Sequence, residues 1–140
     1  MNEGLSSQFL QYVSELPQLP SSAIKESHVE YVYTPTIFDP KEYLAQVTTQ
    51  KEEEFISRII NAESGWHINA KNKSSSASGL AQFIDGTFLS QCVNKYHLAK
   101  DLRMKNDPRV QIDCIVRMIR DGGASHWNAS KHIWSVNNVK

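Results

Sequence analysis

Glu63 is the residue of this 140-residue chain best placed to do chemistry. It follows Ile56 by seven positions, Ile59 by four and Ile60 by three, so on a helix it projects from the apolar face. It also falls in the last turn before Gly65, where the helix dipole is negative and disfavours a carboxylate. Both influences favour the neutral acid and raise its pKa. A carboxylic acid kept protonated near neutrality is what protonation of a glycosidic oxygen requires. On spacing alone, the same residue also reads as a boundary glutamate that bends to solvent.

Other chemistries are poorly served. His126 and His132 have no nearby third ligand and there is no HExxH, so neither a metal site nor a cofactor is expected. Cys92, paired with His97 or His126, lacks the helix N-terminus that activates a thiol. Gly-rich phosphate loops and GxSxG are missing. A net charge of zero gives no bulk attraction to nucleic acid or an anionic membrane. No apolar run approaches the ~18 residues of a membrane span. The first sixty residues nevertheless carry nine of the fifteen acids and only four of the fifteen Lys/Arg. The remainder is mildly basic, which suits an anionic polymer, although such a split also arises by chance.

The elements that must position Glu63 follow from the apolar spacing. Residues 1–40 read as an arm or linker: a short amphipathic helix through Leu5, Phe9, Leu10, Val13 and Leu16, closed by Pro17 and Pro20, then an extended stretch around Val29, Tyr31 and Tyr33. Residues 41–140 read as the functional domain. Asp39 and Pro40 mark a helix start, and Phe55, Ile56, Ile59 and Ile60 form one buried stripe that Gly65 ends as a left-handed cap. The Ser-rich stretch from Asn69 to Ser78 predicts a loop or small hairpin inside the domain. A helix is expected from about Asp85 toward Tyr96, with Asp85 as its N-cap. Another opens at Asp107-Pro108 and stops before Gly122-Gly123, with Ile112, Ile115, Val116 and Ile119 on one face. A last short helix is expected over Asn128 to Trp134. The fold class is thus mainly α, with at most a small β-hairpin after the Glu63 helix. Cys92 and Cys114 fall on the apolar sides of two of these helices, facing each other as free thiols or as a disulfide.

Glu63-Ser64-Gly65-Trp66, the serine loop, then Ser78-Gly79-Leu80-Ala81-Gln82-Phe83 and Thr87, resemble the lytic transglycosylase branch of the lysozyme superfamily. That pattern is Glu-Ser closing a helix, a Ser-containing loop, Gly-Leu-Met-Gln, and a Thr five positions on. Ala81 stands where the pattern has Met. Trp127-Asn128-Ala129 loosely resembles the later Tyr-Asn-Ala segment, with Ser130 in place of the usual Gly. The resemblance implies a lysozyme-like domain that cleaves peptidoglycan glycan strands, with Glu63 as general acid/base. It also implies that Ser64 helps position the sugar and that Gln82, with the backbone around Ser78 and Gly79, lines the cleft. Trp127 would stack on a sugar face and Asn128 would bond its substituents. Ser64 reads equally as a helix-end cap, Gln82 as a surface amide and Trp127 as core.

Hydrolysing glycosidases use two carboxylates, and Asp85 is the one other acid between Glu63 and Thr87. A missing partner fits the transglycosylase reaction, in which one glutamate acts as acid and then base and the substrate's own 6-hydroxyl closes a 1,6-anhydro ring. The alternatives are a hydrolytic lysozyme using Asp85 or a bound water, and a non-catalytic lysozyme-like module that binds glycan. The expected place of action is the cell envelope, periplasm or exterior. The N-terminus lacks the positive stretch and apolar segment of a secretion leader, so another export route, a mature fragment, or membership of a phage or secretion assembly is expected.

Overall fold

The computed structural model describes residues 37–135. The arm helix and extended stretch expected before residue 37 lie outside the described residues. The described residues fall in one compact unit, and it is mainly α, as expected. Among the described residues no helix is long and apolar enough to cross a membrane.

Helix α1 (Pro40–Val47) starts as the sequence predicts. Pro40 occupies the first turn, and the Asp39 carboxylate accepts from the backbone N–H of Lys41 at 2.9 Å and of Glu42 at 3.4 Å. The stretch to Gly65 is two helices, however, where one continuous helix was expected. Thr48 is extended, and its hydroxyl donates to the Leu44 carbonyl. Thr49 then caps α2 (Gln50–Ser64) in a reciprocal box with Glu52. A run of Val47, Thr48 and Thr49 disfavours continuation, because β-branched side chains crowd the helix and threonine hydroxyls compete for its backbone groups. Ile56, Ile59 and Ile60 of α2 are completely buried, and Gly65 ends it at φ 58°.

The serine loop stays inside the domain. It makes only isolated antiparallel bridges, Lys71 with Ser78 and Ser78 with Phe83. Helix α3 opens as one α turn, Asp85–Thr87, and widens into π turns over Phe88–Lys95. Its N-cap position is Ile84, not Asp85. Asp85 is the first helical residue, and its carboxylate turns instead to Lys105, Nζ to Oδ1 2.7 Å. That ion pair satisfies the buried lysine, which a cap bond would have left without its carboxylate.

Helix α4 (Pro108–Arg120) is capped by Asp107, whose carboxylate accepts from Arg109 and Val110. It packs against α1, α2 and the π turns, so the core gathers around it. Ile112, Ile115 and Val116 are buried as expected, while Ile119 packs at the edge. Cys92 in the π turns and Cys114 on α4 form a disulfide. The C-terminal helical stretch begins earlier than expected: a 3₁₀ segment, Gly123–Ser130, leads into α5 (Lys131–Trp134). Trp134 packs edge-on to Phe55, with ring centroids 5.4 Å apart, and so closes this segment over α2.

Candidate active site

Glu63 sits in the last turn of α2, half-buried beside the C-terminal segment. Burial pushes its pKa up from the ordinary value, because a charged carboxylate loses hydration there. A hydrogen bond donated by the Ser130 hydroxyl to Oε1 works in the opposite direction, favouring the charged form. The net direction is upward, as the position on the apolar face predicts.

Ser130 leads onward from Glu63. Its oxygen lies 3.1 Å from the Trp127 carbonyl, and the Trp127 indole N–H donates to the Ala81 carbonyl at 2.8 Å. Gln82 follows directly in sequence. A chain of contacts thus ties the end of α2 to the C-terminal segment and to the Gly79-Leu80-Ala81-Gln82 turn. Trp127 is only 4% exposed, with its ring against Phe83 at 5.9 Å between centroids. Its position is that of a wall packed from behind rather than an open platform. Asn128, next to it, is exposed.

The other residues singled out in the sequence have definite local duties. The Ser64 hydroxyl donates to the Ile60 carbonyl and accepts from the Trp66 N–H, both at 3.2 Å, which fixes the turn that follows Glu63. Gln82 adopts a left-handed backbone, φ 53°. Its amide donates to the Gly79 carbonyl at 2.9 Å and the Ala70 carbonyl at 3.1 Å. Ser78 is buried and donates to Asn106 Oδ1 at 2.7 Å. Gln82 and Trp127 line one cavity with Phe83, Ile84, Thr87 and His126. Ser78 lines another, with Ser75, Ser76, Asp85, Lys105 and Asn106. The set therefore divides across the two sides of the turn.

Two residues that brace this region, Gln111 and Lys105, were not singled out in the sequence, and Ser130 was noted there without a role. Gln111 on α4 is 1% exposed. Its Oε1 accepts from Ala81 N–H at 2.8 Å, and its Nε2 donates to the carbonyls of Ser78 at 3.0 Å and Lys105 at 2.7 Å. It lies four residues before Ile115, and a polar residue on an apolar stripe was the available signal. Lys105 is buried and donates to both Asp85 and the Ser76 carbonyl. Ser130 had its own signal, as the departure from glycine in the Trp127-Asn128-Ala129 segment.

Chemically, the arrangement offers one half-buried acid, linked through Ser130 and Trp127 to a turn whose backbone is fixed from behind. Asp85, the other acid considered, is occupied by Lys105. No solved structure gives a significant match to the chain. Similar curated proteins are the probable transglycosylases SceD of Staphylococcus aureus strains Newman, USA300 and Mu3, each 37% identical over 73 residues. That alignment covers 51% of this chain and 30% of each relative, so the match spans less than a third of their length. Residues 43–114, which include Glu63, the serine loop and the Gly79–Gln82 turn, match the family described as Transglycosylase SLT domain. The chain belongs to the transglycosylase SLT domain family.

Proposed function

We propose that this protein cleaves the β-1,4 bond between N-acetylmuramic acid and N-acetylglucosamine in peptidoglycan as a lytic transglycosylase. The observation that carries the reading is Glu63: a half-buried acid of raised pKa at the end of α2, in the family-matched segment. Neutral Glu63 gives its proton to the glycosidic oxygen as the bond from that oxygen to the anomeric carbon breaks. The resulting carboxylate takes the proton of the muramic acid 6-hydroxyl as its oxygen bonds to the same carbon. A 1,6-anhydro end forms, no water is consumed, and Glu63 returns to its acid form. The tethered hydroxyl outcompetes bulk water through its high effective concentration. The commitment of Asp85 to Lys105 supports this reaction over a two-carboxylate hydrolysis.

In this reading Ser64 helps position the sugar, Gln82 lines the cleft with the backbone around Ser78 and Gly79, Trp127 backs the sugar and Asn128 bonds its substituents. The substrate places the protein's action in the cell wall. A digest of purified walls, analysed by mass spectrometry, tests the proposal. Muropeptides one water lighter than hydrolysis products, resistant to borohydride and absent with Glu63→Gln, are expected. Reducible ends would make the protein a hydrolase, and an unchanged wall would leave it a binding module.

A further inference from the structure

Ser130 stands where the resembled pattern has glycine, which carries no hydroxyl, yet its hydroxyl is the one side-chain group bonded to Glu63 among the described residues. It is 9% exposed and 67 residues away in sequence. A serine hydroxyl has one proton to donate, and here two acceptors lie within reach: Glu63 Oε1 and the Trp127 carbonyl. The Trp127 carbonyl already accepts from the Trp134 indole N–H at 3.0 Å. That carbonyl thus has a donor of its own, whereas the Ser130 hydroxyl is the one side-chain donor bonded to Glu63 among the described residues.

We propose that Ser130 is the positioning residue for Glu63, fixing which carboxyl oxygen carries the transferable proton and holding the carboxylate after that proton has left. This rests on the reading of Glu63 as acid/base. A neutral carboxyl group has one hydroxyl oxygen and one carbonyl oxygen, and only the carbonyl oxygen is a good acceptor. A donor committed to Oε1 makes Oε1 that acceptor and puts the acid proton on Oε2. Once the proton is given away, the same bond becomes charge-assisted and stronger. One hydroxyl thus serves the acid step and the base step without moving.

Charged neighbours add little to this balance. Burial and Ser130 account for the shift of Glu63, with no charged group contributing. Lys131 and His132 after Ser130, Lys41 and Glu42 on α1, and Arg117 and Arg120 on α4 are all exposed. Asp113 on α4 is bonded to the Tyr43 hydroxyl at 2.7 Å. The remaining acids of α2, Glu52, Glu53 and Glu54, belong to its opposite end.

The test compares wild type, Ser130→Ala, Ser130→Thr and Glu63→Gln. It reads wall-cleavage rates against pH and the ¹³C titration of the Glu63 carboxyl. Ser130→Ala is expected to lower kcat by about tenfold, the effect of one hydrogen bond to a charged group, and to change KM less than about twofold. Its Glu63 should titrate at higher pH than in wild type, with the basic limb of the rate profile moving the same way, and Ser130→Thr should restore both. Should the alanine variant fail to fold, Ser130→Gly gives the same readings. An unchanged Glu63 titration in a folded variant overturns the proposal, even if its thermal stability falls. Full activity in Glu63→Gln overturns the acid/base reading instead, and the titration then still reports whether Ser130 holds the carboxyl.

Discussion

Gln111 occupies the space that any side chain at position 79 would need. A Cβ on Gly79 would lie 2.1 Å from Gln111 Nε2 and 2.5 Å from its amide carbon, and the residue's φ of +80° is itself in the left-handed region. The turn between Ser78 and Gln82 can therefore press its backbone onto α4, and the amide of Gln111 fills its hydrogen bonds. Gly79→Ala should be severely destabilising through both clash and backbone strain. Gln111→Leu keeps the size but strands Ala81 N–H and the carbonyls of Ser78 and Lys105. Its expected cost in urea unfolding is about 3–5 kcal/mol. A loss below about 1 kcal/mol would mean that the turn is held by something else.

Glu63→Gln should be inactive yet folded, and its stability relative to wild type should depend on pH. The native pKa of Glu63 is raised above its ordinary 4.5, so the native state holds the proton more tightly than the unfolded chain does. That contribution is complete below the unfolded value and is lost as pH rises through the native one. Glutamine has the shape of the neutral acid, can accept from Ser130 and never ionises. The two proteins should melt together near pH 4, and the glutamine variant should melt higher by about pH 7. Equal melting temperatures across the whole range would show that Glu63 is not desolvated.

Asp85→Asn should remain an active enzyme and lose stability. The carboxylate accepts from Lys105, whose side chain is only 7% exposed, while Asp85 itself is half exposed. Removing the charge leaves a buried ammonium with neutral acceptors alone, the Ser76 carbonyl and the asparagine amide oxygen. A loss of about 2 kcal/mol is expected, larger than a missing helix cap alone would give. Loss of activity in a variant that still melts cooperatively would return Asp85 to the catalytic role.

Reduction of Cys92–Cys114 should loosen the junction between the π turns and α4. The bridge closes a loop of 22 residues, for which chain entropy gives roughly 3 kcal/mol. Calorimetry with and without reductant, with mass spectrometry to count thiols, measures it. A melting temperature insensitive to reductant would mean that packing alone holds the two helices.

Local chemistry explains what the sequence made legible. Asp39-Pro40, Asp107-Pro108 and Gly65 announced their helix ends because a cap is a property of neighbouring residues. Glu63 could be found because its helical register against Ile56, Ile59 and Ile60 is also local. The break at Thr48-Thr49 was legible too, since Thr49 and Glu52 spell a capping box, but the apolar stripe obscured it. The duty of Asp85 was not legible, because its partner Lys105 is twenty residues away and only the folded loop brings them together. The roles of Gln111 and Ser130 escaped for the same reason: each matters through contacts with distant backbone or side chains.

Trp66 and Gln82 both hold a left-handed backbone without being glycine, at φ 69° and 53°. Such a conformation costs on the order of 1–3 kcal/mol for an ordinary residue. Both side chains offset that cost locally, the Trp66 indole by packing against the core and the Gln82 amide by its bonds to the Ala70 and Gly79 carbonyls. Laboratory evolution for thermal tolerance should therefore retain both residues, although glycine would relieve the backbone at either. A thermally selected population that replaced one of them with glycine would record that the backbone strain there exceeds what its side chain offsets.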